Sequence, residues 1–240
     1  MNSWVFDVDG TLTPSRQKMN EEFRNWFITF CGTYSVYLVT GSDREKTIEQ
    51  VGHEVYNACK RVYNCSGNDV WEQDKHLYTN ELNPSEDLLL TLSTHLEQSE
   101  FPIRTGNHIE KRPGLINFNI IGRNATLEQR ALYVKWDNEY SEREKIAKTL
   151  EIQFSEYEFS IAGETGIDIT RKGKNKSQII KDFDQYLTIR FFGDRMTPGG
   201  NDIELGITVA SLPNGYIYPV KNWEDTWDLL KNITSSVFTV

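Results

Sequence analysis

The apolar run Trp4-Val5-Phe6 stops abruptly at Asp7-Val8-Asp9-Gly10-Thr11-Leu12-Thr13, and this junction constrains the fold more than any other stretch of the chain. A short apolar run of this kind reads as a strand. In a continuing strand, period-two alternation would put Asp7 and Asp9 on the same side. Where the strand ends, the backbone can turn and send the carboxylates to different tasks. One can attack phosphorus while the other handles a proton. Gly10 permits the turn and lets a phosphate approach main-chain N–H groups.

Later segments supply matching chemistry. A second apolar run, Tyr34 to Val39, ends in Thr40-Gly41-Ser42-Asp43, where a hydroxyl can hold a phosphoryl oxygen. Lys176 opens a helical pattern, and a third apolar run ends in Gly193-Asp194, followed by Thr197-Pro198-Gly199-Gly200-Asn201-Asp202. A cation near a phosphate neutralises its charge, and carboxylates at strand ends can hold magnesium. Alone, Thr40 reads as a helix cap, Lys176 as a surface lysine, and Asp194 and Asp202 as turn acids. Their order and strand-end placement argue for one site.

The element pattern changes twice along the chain. Asn20 is predicted to cap a helix with Glu21 and Glu22 in its first turn and Phe23, Trp26, Phe27 and Phe30 on its core face. A strand over Tyr34–Val39, a helix from an Asp43 cap through Val51 and a strand over Lys60–Cys65 follow. This βαβαβ order implies a parallel sheet with right-handed crossovers. After about residue 75 the order shifts to a helix near Glu86–Leu96, a strand at Leu115–Ile121, a helix at Glu142–Phe154, and strands at Glu158–Ile161 and Ile167–Thr170. Strands paired around helices suggest an α+β unit with an antiparallel sheet. Lys172 to Lys176 reads as the return linker. The first pattern then resumes with a helix at Ser177–Tyr186, strands at Leu187–Phe192 and Ile207–Ala210, and a last helix carrying Trp223, Trp227 and Leu230. The prediction is a discontinuous core of residues 1–75 and 175–240, with residues 76–174 inserted as a cap.

Composition excludes some roles. With 240 residues the chain can bury a sizeable core, and its net charge of −9 argues against a binder of nucleic acid or anionic membranes. A local cluster of arginines can still bind phosphorylated sugars. Three cysteines, Cys31, Cys59 and Cys65, without close pairing predict reduced thiols in a cytoplasmic protein. The opening strand takes the place of a signal peptide, and no apolar stretch approaches membrane-spanning length.

The opening motif is similar to the first motif of the haloacid-dehalogenase-type phosphotransferases. Its extension Pro14-Ser15-Arg16-Gln17-Lys18 joins Arg112-Pro113-Gly114-Leu115-Ile116-Asn117, Ile121-Gly122-Arg123 and Glu128-Gln129-Arg130 in the middle of the chain. With Phe191-Phe192-Gly193-Asp194 and Pro198 to Glu204, the whole resembles the eukaryotic-type phosphomannomutases over nearly its full length. The resemblance implies an α/β fold: a Rossmann-like parallel-sheet core with an inserted α+β cap. It implies Asp7 as nucleophile, and Asp9 as general acid and base whose main-chain carbonyl helps to hold magnesium. Asp194 completes the metal site, with Asp202 beside it. Lys176 and Thr40 face the phosphoryl group. Arg16, Arg112, Arg123 and Arg130 bind the remote phosphate and sugar, and Asp168 contacts sugar hydroxyls. It further implies hexose phosphates as substrates, interconversion of mannose 6-phosphate and mannose 1-phosphate, and a hexose 1,6-bisphosphate as activator, and it leaves room for a homodimer.

Four departures from the family pattern touch substrate contacts and leave the nucleophile and metal positions intact. Gly166 stands where the family has Ser, Asn119-Ile120 replaces Ser-Pro, Ser66-Gly67-Asn68 replaces Glu-Asn-Gly, and Lys174-Asn175 replaces Trp-Asp. Two rivals use the same residues. A magnesium-dependent sugar-phosphate phosphatase would let water take the phosphoryl group. A non-catalytic sugar-phosphate-binding protein would not turn over. The four arginines favour the mutase, because a phosphatase needs no second phosphate site, and the intact catalytic set argues against a mere binder.

Overall fold

The computed structural model describes residues 2–184 and 186–235. Strand β1 (Asn2–Phe6) has its last four residues buried, as a strand covered on both faces requires. Helix α1 (Glu21–Thr33) begins at Asn20, whose side chain accepts from the N–H groups of Glu22 and Phe23. Its Phe23, Phe27 and Phe30 pack with Trp4 and Phe6 of β1. Strand β2 (Ser35–Val39), helix α2 (Arg44–Val51) with its Asp43 cap, helix α3 (His53–Ala58) and strand β3 (Arg61–Asn64) continue the expected alternation.

Strands β4 (Asp69–Glu72) and β5 (Lys75–Thr79) then pair antiparallel, β4 on β3 and β5 on β4. The sequence-based boundary at residue 75 assigns β5 to the middle segment. Only Gln73 and Asp74 separate β4 from β5, and so short a turn returns the chain as a hairpin partner in the large sheet.

The middle of the chain builds a second sheet. Its elements are α4 (Glu86–Gln98), β6 (Ile109–Arg112), β7 (Leu115–Phe118), α5 (Leu127–Tyr140), α6 (Glu142–Gln153), β8 (Tyr157–Ala162) and β9 (Gly166–Arg171). The four strands run antiparallel in the order β6-β7-β9-β8. Leu88, Leu92, Phe118, Tyr133, Leu150 and Ile169 belong to a hydrophobic core of their own. Gly114 closes the β6–β7 turn with φ +60, where it also abuts Asn68 of the large-sheet unit.

Two predictions in the last segment fail. The helix expected at Ser177–Tyr186 is a 3-10 turn, Lys176–Asp182; Gln185, within the predicted span, lies outside the described residues. Residues three apart eclipse in a 3-10 turn, and this puts Lys176 and Ile179 together on the buried side. After β10 (Thr188–Gly193), the strand expected at Ile207–Ala210 is the second half of helix α7 (Ile203–Ala210). Leu205 and Val209, four apart, are buried while Ile207 is exposed, which is a helical rather than an alternating pattern. Strand β11 (Gly215–Pro219) and helix α8 (Trp223–Ser235) complete the chain.

The large sheet has the order β11-β10-β1-β2-β3-β4-β5. Strand β1 lies parallel between β10 and β2. Strand order reverses about β1, and in open α/β sheets the crevice at the carboxyl ends of strands beside such a switch point is where ligands bind. The outer strand of the small sheet also meets the large-sheet unit: the Ile161 N–H donates to the Gly199 carbonyl at 2.7 Å. Among the described residues no helix is long and apolar enough to cross a membrane.

Candidate active site

Asp7 follows β1 directly and stays anchored to the sheet, its N–H donating to the Phe192 carbonyl at 3.0 Å. The chain then wraps around the Val8 carbonyl, which accepts from the N–H groups of Thr11, Leu12 and Thr13 at 3.2, 2.9 and 3.1 Å. Gly10 makes this turn at φ +85, and a Cβ there would sit 2.5 Å from Asp194 Oδ2. Both properties demand glycine. The turn separates the two carboxylates. Asp7 Oδ1 accepts from Lys176 Nζ at 2.6 Å, while Asp9 Oδ1 accepts from the Arg16 N–H at 2.6 Å and Gln50 Nε2 at 2.9 Å. Ser42 Oγ donates to Asp9 Oδ2 at 3.3 Å.

Lys176 bridges two acids. Its Nζ lies 2.6 Å from Asp7 and 2.8 Å from Asp202, and its side chain is only 1% exposed. Asp202 also accepts from the Arg195 N–H at 3.0 Å. Asp7, Asp194 and Asp202 offer carboxylate oxygens that all lie within 4.8 Å of one another. Asp194 Oδ1 is buried with no hydrogen-bond partner. Burial raises the Asp7 carboxyl above its usual range; Lys176 opposes this, while Asp202 and Asp194 add to it. Asp194 is pushed up to about 7, first by burial and then by Asp202. Burial works against the charge on Lys176, but Asp202 and Asp7 outweigh it and hold the ammonium well above its usual range. Three carboxylates facing the Lys176 ammonium and the Arg195 guanidinium, whose Nε lies 3.3 Å from Asp194 Oδ2, leave excess negative charge, and the other Asp194 oxygen is buried without a partner. This donor set suits a hard divalent cation. The carboxylate of Asp9 is not part of the cluster.

The 3-10 turn carrying Lys176 is held by two of the departures noted in the sequence, which touch each other. Asn68 Nδ2 donates to the Lys174 carbonyl at 2.9 Å, and Gln178 Nε2 donates to it at 3.0 Å.

One cavity brings both sheets together. It is lined by Asp7, Asp9, Arg16 and Thr40 from one side and by Arg112, Arg123, Arg130 and Asp168 from the other. Thr40 is buried, and its Oγ1 accepts from the Ser42 N–H at 3.1 Å. Lys176 and Asp202, joined to each other and to Asp7 through the lysine, are not among the lining residues. Arg112 reaches across to donate to the Gly41 carbonyl at 2.7 Å and also bonds Glu110. Arg123 Nε is 2.9 Å from the same Glu110 carboxylate. Burial depresses Arg16, with the charges of Arg130 and Arg112 adding to the effect. Arg123 falls to about 10 through burial and through Arg112 and Arg16. Burial and neighbouring guanidiniums thus work against the charge on Arg16 and Arg123, whereas Asp168 and Glu110 hold Arg112 above its usual range; an anion brought among them would relieve the repulsion.

Asp168 is buried, and Asn117 Nδ2 donates to it at 2.8 Å. Burial raises its carboxyl, and Arg112 opposes the rise. A Cβ on Gly166 would lie 2.5 Å from Asn117 Nδ2, so the Asn117 amide fills the space a serine side chain would need. Sequence reasoning missed Gln50, Glu110, Glu164 and Thr165, all of which touch residues of the cavity. Gln50, Glu164 and Thr165 act through partners distant in sequence, while Glu110 lies two residues from its partner Arg112.

The family model for eukaryotic phosphomannomutase matches residues 16–236. The chain belongs to this family. It is 30% identical to the phosphomannomutase of Saccharomyces cerevisiae over 239 residues, covering 95% of this chain and 92% of the yeast one. It is 32% identical to phosphomannomutase 1 of Homo sapiens, covering 90% and 87% of the two chains. Among solved structures, the C-terminal domain of Candida albicans trehalose-6-phosphate phosphatase superposes with a TM-score of 0.68 at 15% identity, over 98% of this chain and 92% of that one. A haloacid dehalogenase-like hydrolase from Bacteroides thetaiotaomicron gives a TM-score of 0.60 at 14% identity, over 97% and 99%. At that identity the two structures speak for the fold, a parallel-sheet core bearing an α+β cap.

Proposed function

We propose that the chain is a phosphohexomutase that interconverts mannose 6-phosphate and mannose 1-phosphate through a phosphorylated Asp7. The observation that carries this reading is the single cavity, lined by Asp7, Asp9 and Arg16 from the large-sheet unit and by Arg112, Arg123 and Arg130 from the small-sheet unit. A mutase passes through a bisphosphate and must seat either phosphate at either end. Asp7 attacks phosphorus in line, its oxygen forming the new P–O bond as the bond to the departing oxygen breaks. Asp9 gives a proton to the leaving sugar oxygen and removes it from the attacking hydroxyl. Gln50, Ser42 and the Arg16 N–H hold Asp9 for that exchange.

Lys176 and Thr40 contact the transferred group. Asp7, Asp194 and the Asp9 main-chain carbonyl would hold Mg2+, with Asp202 beside them. When bound, the ion lowers the repulsion between carboxylate and phosphoryl group. Arg16, Arg112, Arg123 and Arg130 take the remote phosphate and the sugar, and Asp168 takes sugar hydroxyls. A hexose 1,6-bisphosphate primes Asp7. The catalytic core is the large-sheet unit, with the cap starting near residue 80 because β5 belongs to the large sheet. Cap closure excludes water, which would otherwise hydrolyse the aspartyl phosphate. Buried, unpaired thiols fit action in the cytoplasm.

The test is phosphorus NMR of the protein with mannose 1-phosphate, Mg2+ and a hexose 1,6-bisphosphate. Growth of mannose 6-phosphate is the expected result. Accumulation of inorganic phosphate alone would overturn the mutase reading in favour of a phosphatase.

A further inference from the structure

The Arg130 guanidinium is already engaged. Its side chain is 4% exposed, and Nη2 lies 3.2 Å from Glu164 Oε2 while Nη1 donates to Thr165 Oγ1 at 3.0 Å. Arg130 Nε is buried with no partner. A buried cation needs a counter-charge, and among the described residues the Glu164 carboxylate is the one within ion-pair distance. Glu164 and Thr165 line the same cavity as Asp7. The backbone that carries them is fixed from beneath. Arg143 Nη1 donates to the Gly163 and Gly166 carbonyls, each at 3.3 Å, and Asn119 Nδ2 donates to Thr165 Oγ1 at 2.8 Å. The Glu164 side chain is 40% exposed, so it can swing into water without moving the turn.

Resting on the reading that Arg130 binds the remote phosphate, we propose that the Glu164 carboxylate is a built-in occupant of that anion subsite which the incoming phosphate must displace. Before substrate arrives, Glu164 balances the buried guanidinium. A phosphate dianion carries more charge than a carboxylate and offers more acceptor oxygens, so it wins the exchange. A singly charged or neutral group at the same end of the sugar competes poorly. Glu164 thereby makes the subsite selective for a dianion and weakens every ligand by the strength of the pair it replaces. A partly exposed ion pair corresponds to about two- to fivefold in an equilibrium constant.

The experiment is steady-state kinetics with mannose 1-phosphate at saturating hexose bisphosphate. Glu164→Gln keeps the shape and removes the charge, so KM is expected to fall about two- to fivefold with a smaller change in kcat. Glu164→Ser, which removes the charge and most of the side chain together, is expected to show the same fall. Glu164→Asp, which keeps the charge, is expected to return KM toward that of the parent. Arg130→Ala is run beside them and is expected to raise KM about tenfold or more, the loss of a charge-assisted contact. If Arg130→Ala raises KM while both charge-removing variants leave it unchanged or higher, Glu164 is structural and the inference is overturned. If Arg130→Ala leaves KM unchanged, the remote-phosphate reading beneath it fails.

Discussion

Replacing Lys176 with methionine isolates the charge that holds the acidic site together. Nζ lies 2.6 Å from Asp7 and 2.8 Å from Asp202 on a side chain that is 1% exposed. Methionine fills most of the same space, so the chief loss is the ammonium. Asp7 and Asp202 are then left facing Asp194 in a cluster whose oxygens lie within 4.8 Å. Breaking a buried ion pair by removing one partner costs about 3–5 kcal/mol. Two features of the site pull in opposite directions within that range. Lys176 serves two carboxylates, which raises the cost. Burial already lifts Asp7 toward its neutral form, so Asp7 can take up a proton, which limits it. For a chain of this size each kcal/mol moves Tm by roughly 2–4 °C. Lys176→Met is therefore expected to melt about 6–20 °C below the parent in metal-free buffer. Added Mg2+ should raise the variant more than the parent, because a divalent cation supplies part of the missing charge. Thermal unfolding followed by circular dichroism, with chelator and then with Mg2+, measures both. A variant that melts within about 2 °C of the parent without metal, less than one kcal/mol on the same scale, would refute the claim that Lys176 balances these acids.

Asp7→Asn is expected to abolish the phosphoenzyme, and Asp9→Asn to slow turnover on the order of 10²–10⁴-fold; phosphoenzyme trapped on the Asp7 variant would place the nucleophile elsewhere. Asp194→Ala is expected to remove most of the magnesium activation, read from rates across a Mg2+ titration, and an unchanged titration curve contradicts its place as a ligand. Gly10→Ala forces a Cβ to within 2.5 Å of Asp194 Oδ2 at a φ of +85. It should weaken the same metal dependence, and a normal curve would show that the turn tolerates side chains. Burial pushes the Cys59 and Cys65 thiols up, so both should alkylate far more slowly in native than in unfolded protein at pH 8, as peptide mass spectrometry would show.

The acidic end of the site was legible because it sits where strands stop. Asp7, Thr40 and Asp194 each follow an apolar run, and a charge that ends a buried strand stands out against its neighbours. Strand β11 left no such mark, since most of its residues are exposed and show no alternation. Helix α7 was misread because a four-residue apolar window fits either period. Helix α5 was missed for a different reason. Its buried residues are Arg130, Tyr133 and Asp137, so polar groups occupy the face that would otherwise carry an apolar stripe. Gln50 and Glu164 were illegible in principle. Gln50 reaches Asp9 across 41 positions and Glu164 reaches Arg130 across 34, distances that only the finished fold closes.

The main-chain bond from Ile161 to Gly199 joins β8 to the loop that runs between Asp194 and Asp202. Ile161 also forms a lone parallel bridge with Gly200. The cap cannot swing clear of that loop while the bond stands. Any opening of the small sheet away from that loop would free this amide to water, where its hydrogen can exchange for deuterium. Elsewhere in β8, N–H groups that pair with β9 stay inside a sheet that moves as a body. The Ile161 amide is thus a natural counter of openings, and its protection, measured with and without a hexose bisphosphate, gives the fraction of time the two sheets stand apart.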